Sequence, residues 1–289
     1  MAKNILIGHK LHFDNFISLY KKNKLPSKIL LSGKKGIGKS LLVKQFMSKI
    51  FDDENSKLLI ENETHSNVLN IKKKNDKKSI EIEQIREIIK FTNQSSFNNK
   101  PRFVIIDDVE FLNINSSNAL LKSLEEPNIN VYFLLIFNQE MNILDTIKSR
   151  CLEYKINLNL ENTKLIIDNY FDEIIYDVIN DDLKNYYSSP KFLISLINYL
   201  RENDLSVSDT GINELVKIII NNRHYEKNTF VKEYLNYIIE LFFYNHINIT
   251  KKITYKVKIY FYSKLSNIRK FNLDYETFFL EFKDKLLSE

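Results

Sequence analysis

Gly33, Gly36 and Gly38 stand within six positions of a 289-residue chain that holds only five glycines, and Lys39 and Ser40 follow them directly. The run GKKGIGKS comprises Gly33, Lys34, Lys35, Gly36, Ile37, Gly38, Lys39 and Ser40, with the spacing G-x-x-x-x-G-K-S. Glycine permits the left-handed backbone angles and close approach by which successive N–H groups surround an anion. An ammonium at Lys39 would reach the β and γ phosphates of a nucleotide, and the Ser40 hydroxyl would hold Mg²⁺. The chemistry expected of residues 33–40 is therefore a grip on a nucleotide's phosphates.

A second candidate centre is VIIDDVE, an apolar run ending in paired acids. Asp107 occupies a Walker B position, where a carboxylate orients the water shell of Mg²⁺. Asp108 comes next, where many ATPases carry Glu to polarise the attacking water. Aspartate is one methylene shorter, and a displacement of about 1 Å at a water-positioning group costs about a hundredfold in rate. Asn138 ends the next apolar run and is placed to contact the γ-phosphate or the attacking water. Arg150, in TIKSRC, sits at a helix edge. There it either forms an ordinary surface ion pair or reaches outward to stabilise a transferring phosphoryl group in a neighbouring molecule.

These residues need elements to position them. Leu30-Leu31 before the loop and Leu41-Leu42-Val43 after it read as strand, tight loop and helix start. Upstream, Phe13, Phe16, Ile17 and Tyr20 form a helical stripe; downstream, Leu42, Phe46 and Ile50 form another. Residues 51–79 are polar and weakly patterned, read as a surface loop or edge hairpin. IEIEQIREIIKF reads as a helix with Ile82, Ile85, Ile88 and Ile89 inward. RFVII and NVYFLLIF read as buried strands. Between them lies a helix capped near Asn115 or Ser116 and stopped before Pro127. A short helix and a strand close the pattern at DTIKSRCLEYK. Strands alternating with helices, several apolar throughout, predict a parallel sheet covered on both faces. From about residue 160 the pattern becomes helical, with Pro190 suited to a first turn and SVSDTG as a linker. The division expected is an α/β domain over 1–157, a small helical lid over 158–205 and an all-α domain over 206–289.

Hydrophobic content of 44% and charged content of 27% mark an ordinary folded chain. No apolar run approaches the roughly 20 residues needed to span a bilayer, and MAKNILIGHK lacks a signal peptide's apolar core. A cytoplasmic location without membrane contact is expected. The one cysteine, Cys151, excludes an intrachain disulfide and a multi-cysteine zinc site; it reads as a packed small side chain. The net charge is +5, but Lys and Asn are spread along the whole chain, so the excess reads as solvated surface rather than a nucleic-acid track. Arginine is confined to Arg86, Arg102, Arg150, Arg201, Arg223 and Arg269.

NALLKSLEEP, followed by a strand and TIKSRC, resembles the clamp-loader branch of the AAA+ family, and within it the delta-prime subunits of bacterial DNA polymerase III. LIGHK, GKKGIGKS, the His65-containing stretch before IEIEQIREI, VIIDDVEFLN, NALLKSLEEPN and TIKSRC occur in that family's order. The likeness covers residues 5–155; the C-terminal part agrees only in being helical. It implies an α/β P-loop AAA+ domain, a helical lid and an all-α collar. It implies Gly33, Gly38, Lys39 and Ser40 as Walker A, Asp107 as Walker B and Asn138 as sensor 1. Arg150 would be a finger reaching an adjacent motor subunit's ATP. SSPKFL falls at sensor 2, with Lys191 where Arg is common, and Lys makes no bidentate fork.

The implied cofactor is ATP with Mg²⁺, bound with weak or no hydrolysis, and without zinc, since the four cysteines many relatives carry are missing. The implied partners are motor and delta subunits in a hetero-pentamer, a sliding clamp and, through the complex, primer–template DNA in replication. Asp107-Asp108 in place of an Asp-Glu pair resembles the delta-prime subunit better than the motor subunit. Two alternatives stay open: the motor ATPase itself, favoured by the intact phosphate loop, and an interaction subunit in which that loop is a relic.

Overall fold

The computed structural model describes residues 6–74, 77–93, 100–125, 130–184, 188–249, 253–271 and 273–287, and the chain forms two compact units, 1–165 and 166–289. Helix α1 (Lys10–Lys21) leads into strand β1 (Lys28–Ser32), and α2 (Lys39–Ile50) leaves directly from the glycine loop. There follow α3 (Glu54–Glu61), β2 (Val68–Ile71), α4 (Ile82–Asn93), β3 (Arg102–Ile106), α5 (Ile114–Glu125), β4 (Val131–Phe137), the short α6 (Asp145–Lys148), β5 (Leu152–Lys155) and α7 (Leu160–Phe171).

All five strands pair in parallel in the order β2-β3-β4-β1-β5. Successive side chains of a strand point to opposite faces, and here both faces are covered. Ile29, Leu31, Phe103, Ile105, Leu134 and Ile136 join α1 and α2 in one core. Leu30, Val104, Ile106, Phe133 and Leu135 join α4 and α5 in the other. That double burial is why the central strands read as unbroken apolar runs.

Register then places the site. Ser32 pairs with Phe137, and Ile106 pairs with Leu135. The residues that follow these strands, Gly33, Asp107 and Asn138, therefore emerge side by side at one edge of the sheet. Open parallel sheets bind ligands at that carboxyl edge.

Three local expectations differ from the structure. Residues 51–79 hold a helix, α3, capped by the Asp53 carboxylate accepting from Ser56 N–H at 2.8 Å, and a parallel edge strand, β2, in place of a loop or hairpin. In α4, Ile89 is exposed and Ile82 half-buried; Gln84 and Thr92 share the inner face with Ile85 and Ile88. Helix α5 is capped ahead of the expected Asn115 or Ser116, by Asn113 Oδ1 accepting from Ser116 N–H at 2.8 Å. Pro127 lies outside the described residues.

The second unit holds α8 (Pro190–Glu202), α9 (Ile212–Asn221), α10 (His224–Lys227), α11 (Thr229–Tyr244), α12 (Tyr255–Phe271) and α13 (Glu276–Phe282). Ser189 caps α8, and Pro190 occupies its first turn, where a missing N–H costs no hydrogen bond. One buried cluster runs from Ile167 to Leu287, so the stretches expected as lid and collar share a core. Its aromatic centre joins Phe242, Phe243, Phe261, Phe278 and Phe282.

Candidate functional site: a phosphate loop and its acids

The chain turns at the glycines as an anion loop requires. Gly36 and Gly38 hold φ of +80° and +99°, the left-handed region that glycine enters without steric cost. Gly33 is needed for space: a Cβ there would sit 2.2 Å from the Ile156 carbonyl oxygen. Lys34 and Lys35 line the loop, Lys35 pairing with Glu140 at 3.3 Å, while Ile37 is buried in the core beneath it.

Lys39 is 3% exposed, and its ammonium donates to the carbonyls of Gly33 and Lys34, both at 2.6 Å. An ammonium has three N–H donors. Two held by the loop leave the third for a ligand. Burial pulls its pKa down to about 8, opposed by the negative charge of Asp107, Glu110, Asp108 and Glu140.

Ser40 Oγ donates to Asp107 Oδ2 at 2.8 Å, so the loop hydroxyl and the carboxylate that follows β3 meet. A hydroxyl and a carboxylate are oxygen ligands of the kind Mg²⁺ takes beside substrate phosphates and water. With the four carboxylates Asp107, Asp108, Glu110 and Glu140 set against the ammoniums of Lys39 and Lys35, a polyphosphate needs such a cation to neutralise the site. The residues fit a nucleotide accompanied by Mg²⁺.

Asp108 sits in the left-handed conformation, φ +57° and ψ +47°. Its Oδ1 accepts from Asn138 Nδ2 at 2.7 Å, so Asp108 and Asn138 form one unit beside Asp107. Burial, and next the charge of Asp107, raise the Asp108 carboxyl above its ordinary range.

Two neighbours carry weight that the motifs do not signal. Glu110, 5% exposed, accepts the Asn138 backbone N–H at 3.1 and 3.2 Å through its two oxygens. It fixes the backbone from which the Asn138 amide reaches Asp108. His9, 1% exposed, donates from Nε2 to the Ile37 carbonyl at 2.6 Å. Both lie in stretches that carry the family resemblance, LIGHK and VIIDDVEFLN, but nothing in the sequence assigns either side chain a role.

The remaining expected residues have the following partners. Arg150 donates from Nε and Nη2 to Glu125 Oε1 at 3.0 and 2.6 Å and from Nη1 to the Thr146 carbonyl at 3.0 Å. Its side chain stays 35% exposed. Lys191 lies in the first turn of α8, in the second unit, paired with Glu233 at 2.8 Å. Cys151 is packed against the α4/α5 core.

The model of the family described as DNA polymerase III, delta subunit, matches residues 8–159. The DNA polymerase III subunit delta' of Pseudomonas aeruginosa is 31% identical over 134 residues, covering 43% of this chain and 41% of that protein. The DNA polymerase III subunit gamma of Buchnera aphidicola from Schizaphis graminum is 31% identical over 137 residues, covering 45% of this chain and 38% of that protein. Each alignment spans less than half of the relative's own length. A solved structure of a gamma-subunit-related protein from Thermotoga maritima aligns with 78% of this chain and 90% of its own at 18% identity and a TM-score of 0.40. Among the described residues, no helix is long and apolar enough to cross a membrane.

Proposed function

The chain belongs to the family described as DNA polymerase III, delta subunit, and from that premise we propose that it acts as a delta-prime-like subunit of a clamp loader. In this reading it joins motor and delta subunits in a hetero-pentamer that places a sliding clamp on primer–template DNA. Its own loop binds ATP with Mg²⁺. Gly33 to Gly38 wrap the phosphates, Lys39 pairs with the β and γ oxygens, and Ser40 and Asp107 hold the metal. Mg²⁺, when bound, neutralises phosphate charge. Asp108 and Asn138 face the γ-phosphate, but Asp108 is already engaged by the Asn138 amide, which supports weak or no hydrolysis by this chain alone. Lys191 remains the proposed sensor 2 residue, and the lid and collar division at 158–205 and 206–289 belongs to the same reading.

The observation that carries the proposal is Arg150. Its hydrogen bonds run to Glu125 and Thr146 rather than to the chain's own phosphate loop, and its fork is partly open to solvent. A guanidinium presented away from its own nucleotide suits a neighbour's triphosphate, where such a residue is worth about 10³–10⁵ in rate. The test is Arg150→Ala in the reconstituted assembly. The expected result is intact ATP binding by this chain with clamp loading crippled; unchanged loading overturns the finger role.

A second reading, the motor ATPase itself, is favoured by the contact of Ser40 with Asp107. Brisk ATP turnover by the purified chain would decide for it.

A further inference from the structure

We propose that His9 is a positioning residue for the phosphate loop, holding the peptide between Ile37 and Gly38 so that the Gly38 N–H faces the nucleotide's phosphates. The inference rests on the reading that the loop binds nucleotide, and extends it to a residue to which that reading gives no role.

The geometry follows from one hydrogen bond. A carbonyl only accepts, so the 2.6 Å contact between Nε2 and the Ile37 oxygen places the ring proton on Nε2. A trans peptide is planar, with C=O and the next N–H pointing in opposite directions. Anchoring the Ile37 oxygen on His9 therefore turns the Gly38 N–H away from the ring. Gly38, at φ +99°, would otherwise be free to flip this peptide, because glycine visits both halves of φ space.

The ring is held on two sides. His9 precedes α1, and its own carbonyl accepts from Phe13 N–H at 3.0 Å, fixing its backbone to the start of that helix. On the other side it covers Gly38: a Cβ there would lie 3.4 Å from Nε2 and 3.5 Å from Cδ2. The ring is 1% exposed, and its Nδ1 has no hydrogen-bond partner among the described residues. A proton on Nδ1 would be a buried, unsatisfied charge beside the Lys39 ammonium, so the ring stays neutral with one donor aimed at the loop.

Glutamine places its amide nitrogen close to where histidine places Nε2; asparagine does not reach. The test measures binding of a fluorescent ATP analogue with Mg²⁺ to the full chain and to His9→Gln, His9→Asn, His9→Phe and Lys39→Met. Loss of one buried hydrogen bond predicts about tenfold weaker binding for His9→Asn and His9→Phe. His9→Gln should return to within about threefold of the unaltered protein, on the same hydrogen-bond argument. Equal affinities for the Gln and Asn variants, with Lys39→Met abolishing binding, overturn the role of His9 alone. Should His9→Phe fail to fold by circular dichroism, the Gln and Asn pair still decides. No binding by the unaltered chain overturns the reading of the loop, and this inference with it.

Discussion

Arg150, two residues past the end of α6, lays Nε and Nη2 against a single oxygen of Glu125, the last residue of α5 and 25 positions earlier, at 3.0 and 2.6 Å. Both side chains are partly exposed, 35% and 55%. Exposed ion pairs contribute about 0–1 kcal/mol, so the contact orients the fork without locking it. On the proposed reading, a neighbour's phosphate must displace Glu125 from Arg150. Glu125→Gln should leave stability within about 1 kcal/mol, seen in denaturant melts. The same variant should raise ATP turnover of the mixed assembly at limiting amounts of this chain, by up to about fivefold, the rate equivalent of that pair. Lower turnover would assign Glu125 a supporting rather than a competing part.

Lys39 predicts a pH dependence. Burial brings it from 10.5 to about 8, so the fold disfavours its charged form. Below pH 8 the folded chain bears that cost in full. As pH rises from about 8 toward 10.5, the folded state gives up the proton first, and this group's cost is relieved. Phosphate binding runs the other way, because it needs the ammonium. Affinity for the ATP analogue should be flat below pH 8 and fall above it, by up to about tenfold per pH unit. Titrations between pH 7 and 9.5 check this, and a flat profile would remove Lys39 from the phosphate contacts.

Cys151 should be chemically quiet. Burial pushes its thiol up to about 11, leaving a thiolate fraction on the order of 0.1% at pH 8. Alkylation should be on the order of a hundredfold slower than in urea-unfolded protein, where the ordinary thiol pKa applies. Since the chain has no other cysteine, mass spectrometry reads the rate directly.

Phe46 is 1% exposed, and its ring meets those of Phe16, Tyr20 and Phe103 at 5.8, 6.4 and 6.3 Å. Phe46→Ala empties the space between α1, α2 and the sheet and should cost about 3–5 kcal/mol. The denaturation midpoint should drop with little change in slope.

The central strands and the phosphate loop were legible because each announces itself locally. Strands buried on both faces are apolar through their centres, with polar residues such as Ser32 and Arg102 only at their ends, and the anion turn needs its glycines wherever it occurs. The edge strand Val68–Ile71 was hidden because it is short and half-solvated, with Asn70 and Leu69 only partly buried. The cap of α5 is not legible because Asn113, Asn115 and Ser116 are all acceptable caps; the bond from Ser116 N–H to Asn113 Oδ1, with α5 starting at Ile114, selects Asn113. His9 and Glu110 were invisible as site residues, since each acts through a partner 28 positions away. The expected site residues Asp107, Asp108 and Asn138 do gather with the loop, but that Asn138 binds Asp108 required the register of β3 and β4. Glu125 was read within its motif; its grip on Arg150 was not.

A side chain at Gly33 would collide with the Ile156 carbonyl just past β5, whereas the Lys39 ammonium and Ser40 hydroxyl are tips of side chains that a smaller group could replace. In a lineage that ceased to use nucleotide, the signature would thus decay unevenly: cation and hydroxyl would drift first, and the opening glycine would be retained by architecture alone.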